Sequence, residues 1–129
     1  FLMIRRPPRS TLDRSAAASD VYKRHDINLL TVLVAGSQPG LQVLDMNGKW
    51  HNVSTDKNTI VVNSGDMLNM ASGNYYPSTT HRVVNPDPTL NVSRYSMPLF
   101  LHPRDDVILD KEHTAGSYLK KRLQEIGLK

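Results

Sequence analysis

Residues 25–110 are predicted to form a mainly β domain, a double-stranded β-helix (jelly roll), and residues 111–129 a C-terminal α-helix. Two observations carry this. Short apolar runs rich in β-branched residues recur at regular spacing with turn residues between them, the pattern of a sandwich or barrel, and only the tail changes to helical spacing. Ile27–Ala35, with Thr31, Val32 and Val34, is too short for a good helix and reads as a buried strand broken by Gly36–Gly40. Leu41–Leu44 and Trp50–Val53 flank the hairpin signal Asn47-Gly48. Thr59–Val62 is a further strand, Gly65-Asp66 leads into Met67–Met70, and Ser72-Gly73-Asn74 ends that stretch. Thr79–Val84 and Val92–His102 are the last two strands, separated by Asn85-Pro86-Asp87-Pro88. In the tail, Thr114 is a candidate cap, Tyr118, Leu119, Leu123 and Ile126 follow near helical spacing, and Gly127 is a candidate stop. This helix is expected to pack on the barrel, and Trp50 is expected in the core.

Charge divides the chain in two. The net charge of +4 resides in residues 1–24, which carry Arg5, Arg6, Arg9, Arg14, Lys23 and Arg24 against Asp13 and Asp20. Residues 25–129 are neutral, with ten basic and ten acidic residues. The leader has no apolar core of signal-peptide length. The runs MIRRPPRST, LDRS and SDVYKR resemble translated sequencing-adapter sequence, so residues 1–24 are expected to be a non-native or disordered leader. A neutral body argues against nucleic-acid binding, which needs an extended positive surface. There is no cysteine, so disulfides and thiolate metal sites are excluded. No membrane span is found, and a cytoplasmic protein is expected. Phosphate-loop, nucleophile-elbow and cysteine-nucleophile signatures are missing.

Three stretches carry chemistry: RHDINLLTVL (24–33), STTHRVVNP (78–86) and NVSRYSMPLF (91–100). Arg94 and Ser96 lie two apart, on one face of a strand, thirteen residues after His81. A guanidinium makes a two-pronged match to a carboxylate, and a neighbouring hydroxyl adds a donor. Tyr95, Met97 and Leu99 line the other face and are expected to pack into the sandwich. His51, His102 and His113 read as surface or packing residues, and Asn74, Tyr75 and Tyr76 as the edge of a pocket mouth.

Together these stretches resemble the C-terminal part of the isopenicillin N synthase-like family of non-haem Fe(II), 2-oxoglutarate-dependent dioxygenases. The resemblance covers residues 25–129 and implies an incomplete jelly roll. It implies Asp26 and His81 as iron ligands, and Arg94 and Ser96 as the grip on the distal carboxylate of 2-oxoglutarate. It further implies a small-molecule substrate, O2 as co-reactant, and release of succinate and CO2. Two variants stay open: an isopenicillin N synthase-type oxidase or ethylene-forming relative, and an inactive jelly-roll binding module. The departure from the family lies at the first ligand of its His-x-Asp pair, where this chain has Arg24. His25 occupies the intervening position, and strand alternation turns it away unless a bulge or a frayed end intervenes.

Overall fold

The computed structural model describes residues 24–34, 36–54, 56, 58–84 and 95–128. The leader before Arg24, the turn at 85–88 and Arg94 lie outside the described residues. Among the described residues six strands and two helices follow one another as β1 (Leu30–Val34), β2 (Leu41–Leu44), β3 (Trp50–Asn52), β4 (Ile60–Ser64), α1 (Asp66–Ala71), β5 (His81–Val83), β6 (Met97–Leu101) and α2 (Ala115–Glu125). The strands form two antiparallel sheets, ordered β4-β1-β6 and β3-β2-β5. Successive segments of chain thus pass back and forth between the sheets, as in a double-sheet jelly roll.

The expected strands are present with shifted ends. β1 begins at Leu30 rather than Ile27, because residues 27–29 serve another element. Their carbonyls and that of Asp26 accept the free amides at the start of α1: Asp66 N donates to Asp26 O (2.8 Å), Met67 N to Ile27 O and Asn28 O (3.3 Å each), and Gly65 N to Leu29 O (3.0 Å). A helix start has such orphan donors, and here the chain segment around Asp26 satisfies them. Gly65 makes the approach possible. A Cβ at this position would lie 2.1 Å from the Asn28 carbonyl oxygen.

α2 follows the expected capping in detail. Thr114 and Ser117 form a reciprocal capping box. At the other end Gly127 adopts φ +78°, and Leu128 N and Gly127 N return to Leu123 O and Gln124 O, a Schellman closure. Among the described residues the buried apolar core is Met67, Leu109 and Ala115, joined by Ile27, Leu29, Met70, Tyr118 and Leu119. So α2 packs on α1 and on the segment preceding β1. The Tyr118 hydroxyl donates to Asp66 Oδ2 (3.1 Å). Burial first, and then the Asp66 carboxylate, push the Tyr118 phenol up to about 12.

Two packing expectations are corrected. Trp50 is half-buried rather than core, and lies under the Arg82 guanidinium (3.9 Å to the ring centroid), which also donates to Gln42 Oε1 (2.8 Å). Tyr95, Met97 and Leu99 are exposed, not packed into the sandwich. The register sets Met97 and Leu99 beside Val34 and Val32, which in turn oppose Ile60 and Val62. This apolar face of the sheet is opposite to the one that carries Thr31 and Asn63, and those two side chains turn toward Asp26.

Candidate metal centre

Asp26 sits on the segment gripped by α1, and its side chain is 16% exposed. Oδ2 accepts from the Thr31 hydroxyl (2.6 Å) and from Asn63 Nδ2 (2.9 Å). Thr31 on β1 and Asn63 on β4 are direct partners in the antiparallel register, so their side chains stand side by side on one face. Oδ1 faces His81 Nε2 at 3.7 Å.

His81 opens β5 and reaches this position through backbone pairing. Val43 on β2 is its register partner on one side. On the other side it forms an isolated antiparallel bridge with Arg24, in which each residue's N–H donates to the other's carbonyl (3.0 and 3.1 Å). Its ring is 14% exposed. Nδ1 lies 3.1 Å from the Thr79 carbonyl, which can only accept, so Nδ1 is the donor there and Nε2 is the nitrogen left facing Asp26. An imidazole nitrogen and a carboxylate oxygen thus converge, 55 residues apart in sequence.

The remaining predicted positions divide clearly. Arg24 directly opposes His81, so its side chain leaves the strand on the same face as the imidazole. A guanidinium stays protonated and cannot ligate a cation. The His25 ring is engaged elsewhere, with Nε2 on the Thr80 hydroxyl (2.5 Å) and Nδ1 at 3.7 Å from Asp66 Oδ1. No cluster of three metal-binding His, Cys, Asp or Glu side chains occurs among the described residues. Ser96 precedes β6 by one residue and is half-buried. Strand alternation carried back from Met97 puts it on the face of Pro98 and Phe100, the register partners of Leu33 and Thr31. Its expected companion Arg94 is outside the described residues. Tyr75 and Tyr76 are exposed and pack edge to face (4.8 Å between ring centroids). His51 pairs with Asp45 at 2.7 Å, and that hydrogen bond holds the Asp45 carboxyl below the usual range.

The two donors, with the flanking motifs, match a family pattern. The model of the 2OG-Fe(II) oxygenase superfamily matches residues 3–103. The chain belongs to this superfamily. The matched range takes in most of the basic leader. The chain is 41% identical over 85 residues to the Arabidopsis thaliana protein DMR6-LIKE OXYGENASE 2, covering 65% of this chain and 23% of that protein. To the Petunia hybrida flavonol synthase/flavanone 3-hydroxylase it is 36% identical over 104 residues, 80% of this chain and 27% of that enzyme. Among solved structures, that of an oxygenase from Shewanella oneidensis superposes with a TM-score of 0.74 at 48% identity, over 84% of this chain and 40% of that one. The chain therefore spans about a quarter of the length of the curated relatives it matches. The family and its solved members are mainly β jelly rolls that use Fe(II) and 2-oxoglutarate, in agreement with the fold and cofactor expectations.

Sequence reasoning missed Asn28, Thr31 and Asn63. Asn28 and Thr31 are 1% and 4% exposed. The available signal was polarity inside an apolar run, since a buried polar side chain must find partners.

Proposed function

We propose that this chain is the ligand-bearing part of an Fe(II), 2-oxoglutarate-dependent oxygenase that oxidises a small molecule, in a cytoplasmic setting and without nucleic-acid or membrane partners. The observation that supports it is the convergence of His81 Nε2 and Asp26 Oδ1, each oriented by a hydrogen bond on its far side. Imidazole and carboxylate suit a ferrous ion, and two such donors fit it. The third position of a two-His, one-carboxylate triad falls on Arg24, which does not. No described helix is long and apolar enough to cross a membrane.

In this reading Asp26 and His81 hold the metal, and Ser96 with Arg94 takes the far carboxylate of the cosubstrate. A bound ferrous ion with 2-oxoglutarate and O2 supplies the oxidative step that yields succinate and CO2. The protein's own contribution is orientation. The Thr79 carbonyl keeps the His81 proton on Nδ1, and the α1 amides fix the Asp26 backbone. With Arg24 in place, a fixed positive charge faces the site from the neighbouring strand, and the chain is expected to be inactive.

Arg24→His tests this directly. Co(II), a spectroscopic stand-in for Fe(II), should bind the variant at least about tenfold more tightly than the parent, since even a supporting residue outside the ligand set is worth about 10–100-fold. A folded Arg24→His chain that binds Co(II) no better than the parent would overturn the reading in favour of an inactive binding module.

A further inference from the structure

We propose that the outer face of the β4-β1-β6 sheet is an interface at which two copies of this chain pack face to face. Two rows of side chains, Ile60–Val34–Met97 and Val62–Val32–Leu99, cross the three strands in register. Leu30 and Leu101, the next pair along the same face, extend them into a third row. Val34, Ile60, Val62, Met97, Leu99 and Leu101 are each between 41% and 63% exposed. By contrast, only Met67, Leu109 and Ala115 form the buried apolar core among the described residues. More large apolar surface thus lies on this face than in the interior, and a contiguous apolar patch above a few hundred Å2 marks a contact site.

A second copy fits this face by area, charge and shape. Tyr95, 71% exposed just before β6, falls on the same side by strand alternation and enlarges the patch. The exposed parts of these side chains then come to roughly 700 Å2 per copy, close to the ~800 Å2 that a standard interface takes from each partner. None of the three rows contains a charged residue, and residues 25–129 are neutral, so two copies meet without like-charge repulsion. A twisted sheet face is complementary to itself. Two such faces stack about 10 Å apart with their side chains interdigitated, as in a β-sandwich. The contact uses the same patch on both copies, so it closes at two.

Sedimentation velocity on the full chain tests this, read from about 1 to 100 μM, where interfaces of this size without strong anchors assemble. The expected species has twice the mass of the chain. It should persist in about 1 M NaCl, which screens charge contacts beyond about 3 Å. Val34→Lys places an unpaired cation in the middle of the interface and leaves both sheet edges as they are, because β1 is the central strand. It should weaken the dimer at least about 100-fold, and Leu99→Lys should do the same. Met46→Lys, at an apolar residue that is 97% exposed on the β2–β3 turn, should leave the dimer intact. Circular dichroism verifies that each variant folds. Should both face variants fail to fold, Val34→Thr is read instead, with an expected weakening of about tenfold. A parent that stays monomeric throughout the range would overturn the proposal. So would a dimer that survives Val34→Lys in folded protein, since association would then run through a strand edge. Assemblies that grow beyond two, or that dissolve in salt, would equally sink it, the latter by assigning the contact to the basic leader.

Discussion

The two arms of the site are built by different means. Asp26 lies on an irregular segment and is held by side chains and by the start of a helix: Thr31, Asn63, buried Asn28 and the amides of Asp66 and Met67. His81 lies on a strand and is held almost entirely by backbone, through its ladder with β2, its bridge to Arg24 and the Thr79 carbonyl. Backbone pairing is available to nearly any sequence, whereas a side-chain clamp requires particular residues at particular positions. The Asp26 arm should therefore be sensitive to single substitutions and the His81 arm tolerant of them.

The largest effect is expected where the Asp26 arm meets α1. Gly65→Ala puts a methyl group against the Asn28 and Asp26 carbonyl oxygens, at 2.1 and 2.8 Å, and neither backbone can yield without losing the α1 amides. Overpacking of this kind costs about 3 kcal/mol, to be read from the urea midpoint. A near-neutral result would mean that the segment around Asp26 is pliable, and the contrast between the arms would fail.

An intermediate effect is expected at the second support of α1. Tyr118→Phe removes the hydroxyl donated to Asp66 and should cost about 1 kcal/mol near neutral pH. The pH dependence has a definite sign. The folded phenol is raised to about 12 from an ordinary value near 10, so the neutral form is favoured in the folded chain. Its contribution is complete below about pH 10 and is lost as pH rises through about 12. Unfolding measured across that window should show a falling stability in the parent and a flatter profile in Tyr118→Phe. Parallel profiles would remove Tyr118 from the support of the Asp26 arm.

The smallest effect is expected beside His81. Arg82 points to the opposite face of β5, over Trp50, and Arg82→Ala should cost only about 0.5–1 kcal/mol, the worth of an exposed cation–π contact. In the Arg24→His background, Co(II) affinity should be unchanged by it. A marked loss of affinity would show that the His81 arm also depends on its side-chain neighbours.

The same contrast explains what could be read in advance. His81 and Asp26 were legible because their flanking motifs are contiguous in the chain. The strands and the α2 caps were legible for the same reason, since Thr114 and Gly127 act on neighbours a few residues away, although the reciprocal part of Ser117 was not read. Thr31 read only as a β-branched strand former, and nothing local distinguished Asn63. Their shared role exists only because β1 and β4 pair with residue 31 opposite residue 63. Met97 and Leu99 were assigned to the sandwich interior by alternation alone, which gives two faces but does not say which is inward.

The sequence by itself therefore determined the strand-and-turn pattern, the terminal helix, the family motifs and the mismatch at Arg24, all properties of residues near one another along the chain. Only the tertiary structure decided that Oδ2 of Asp26 is occupied by two donors, that Gly65 must be glycine and that the outer face of the β4-β1-β6 sheet is the exposed one. The physical reason is that these depend on register and on the close approach of segments far apart in sequence, which local propensity does not encode.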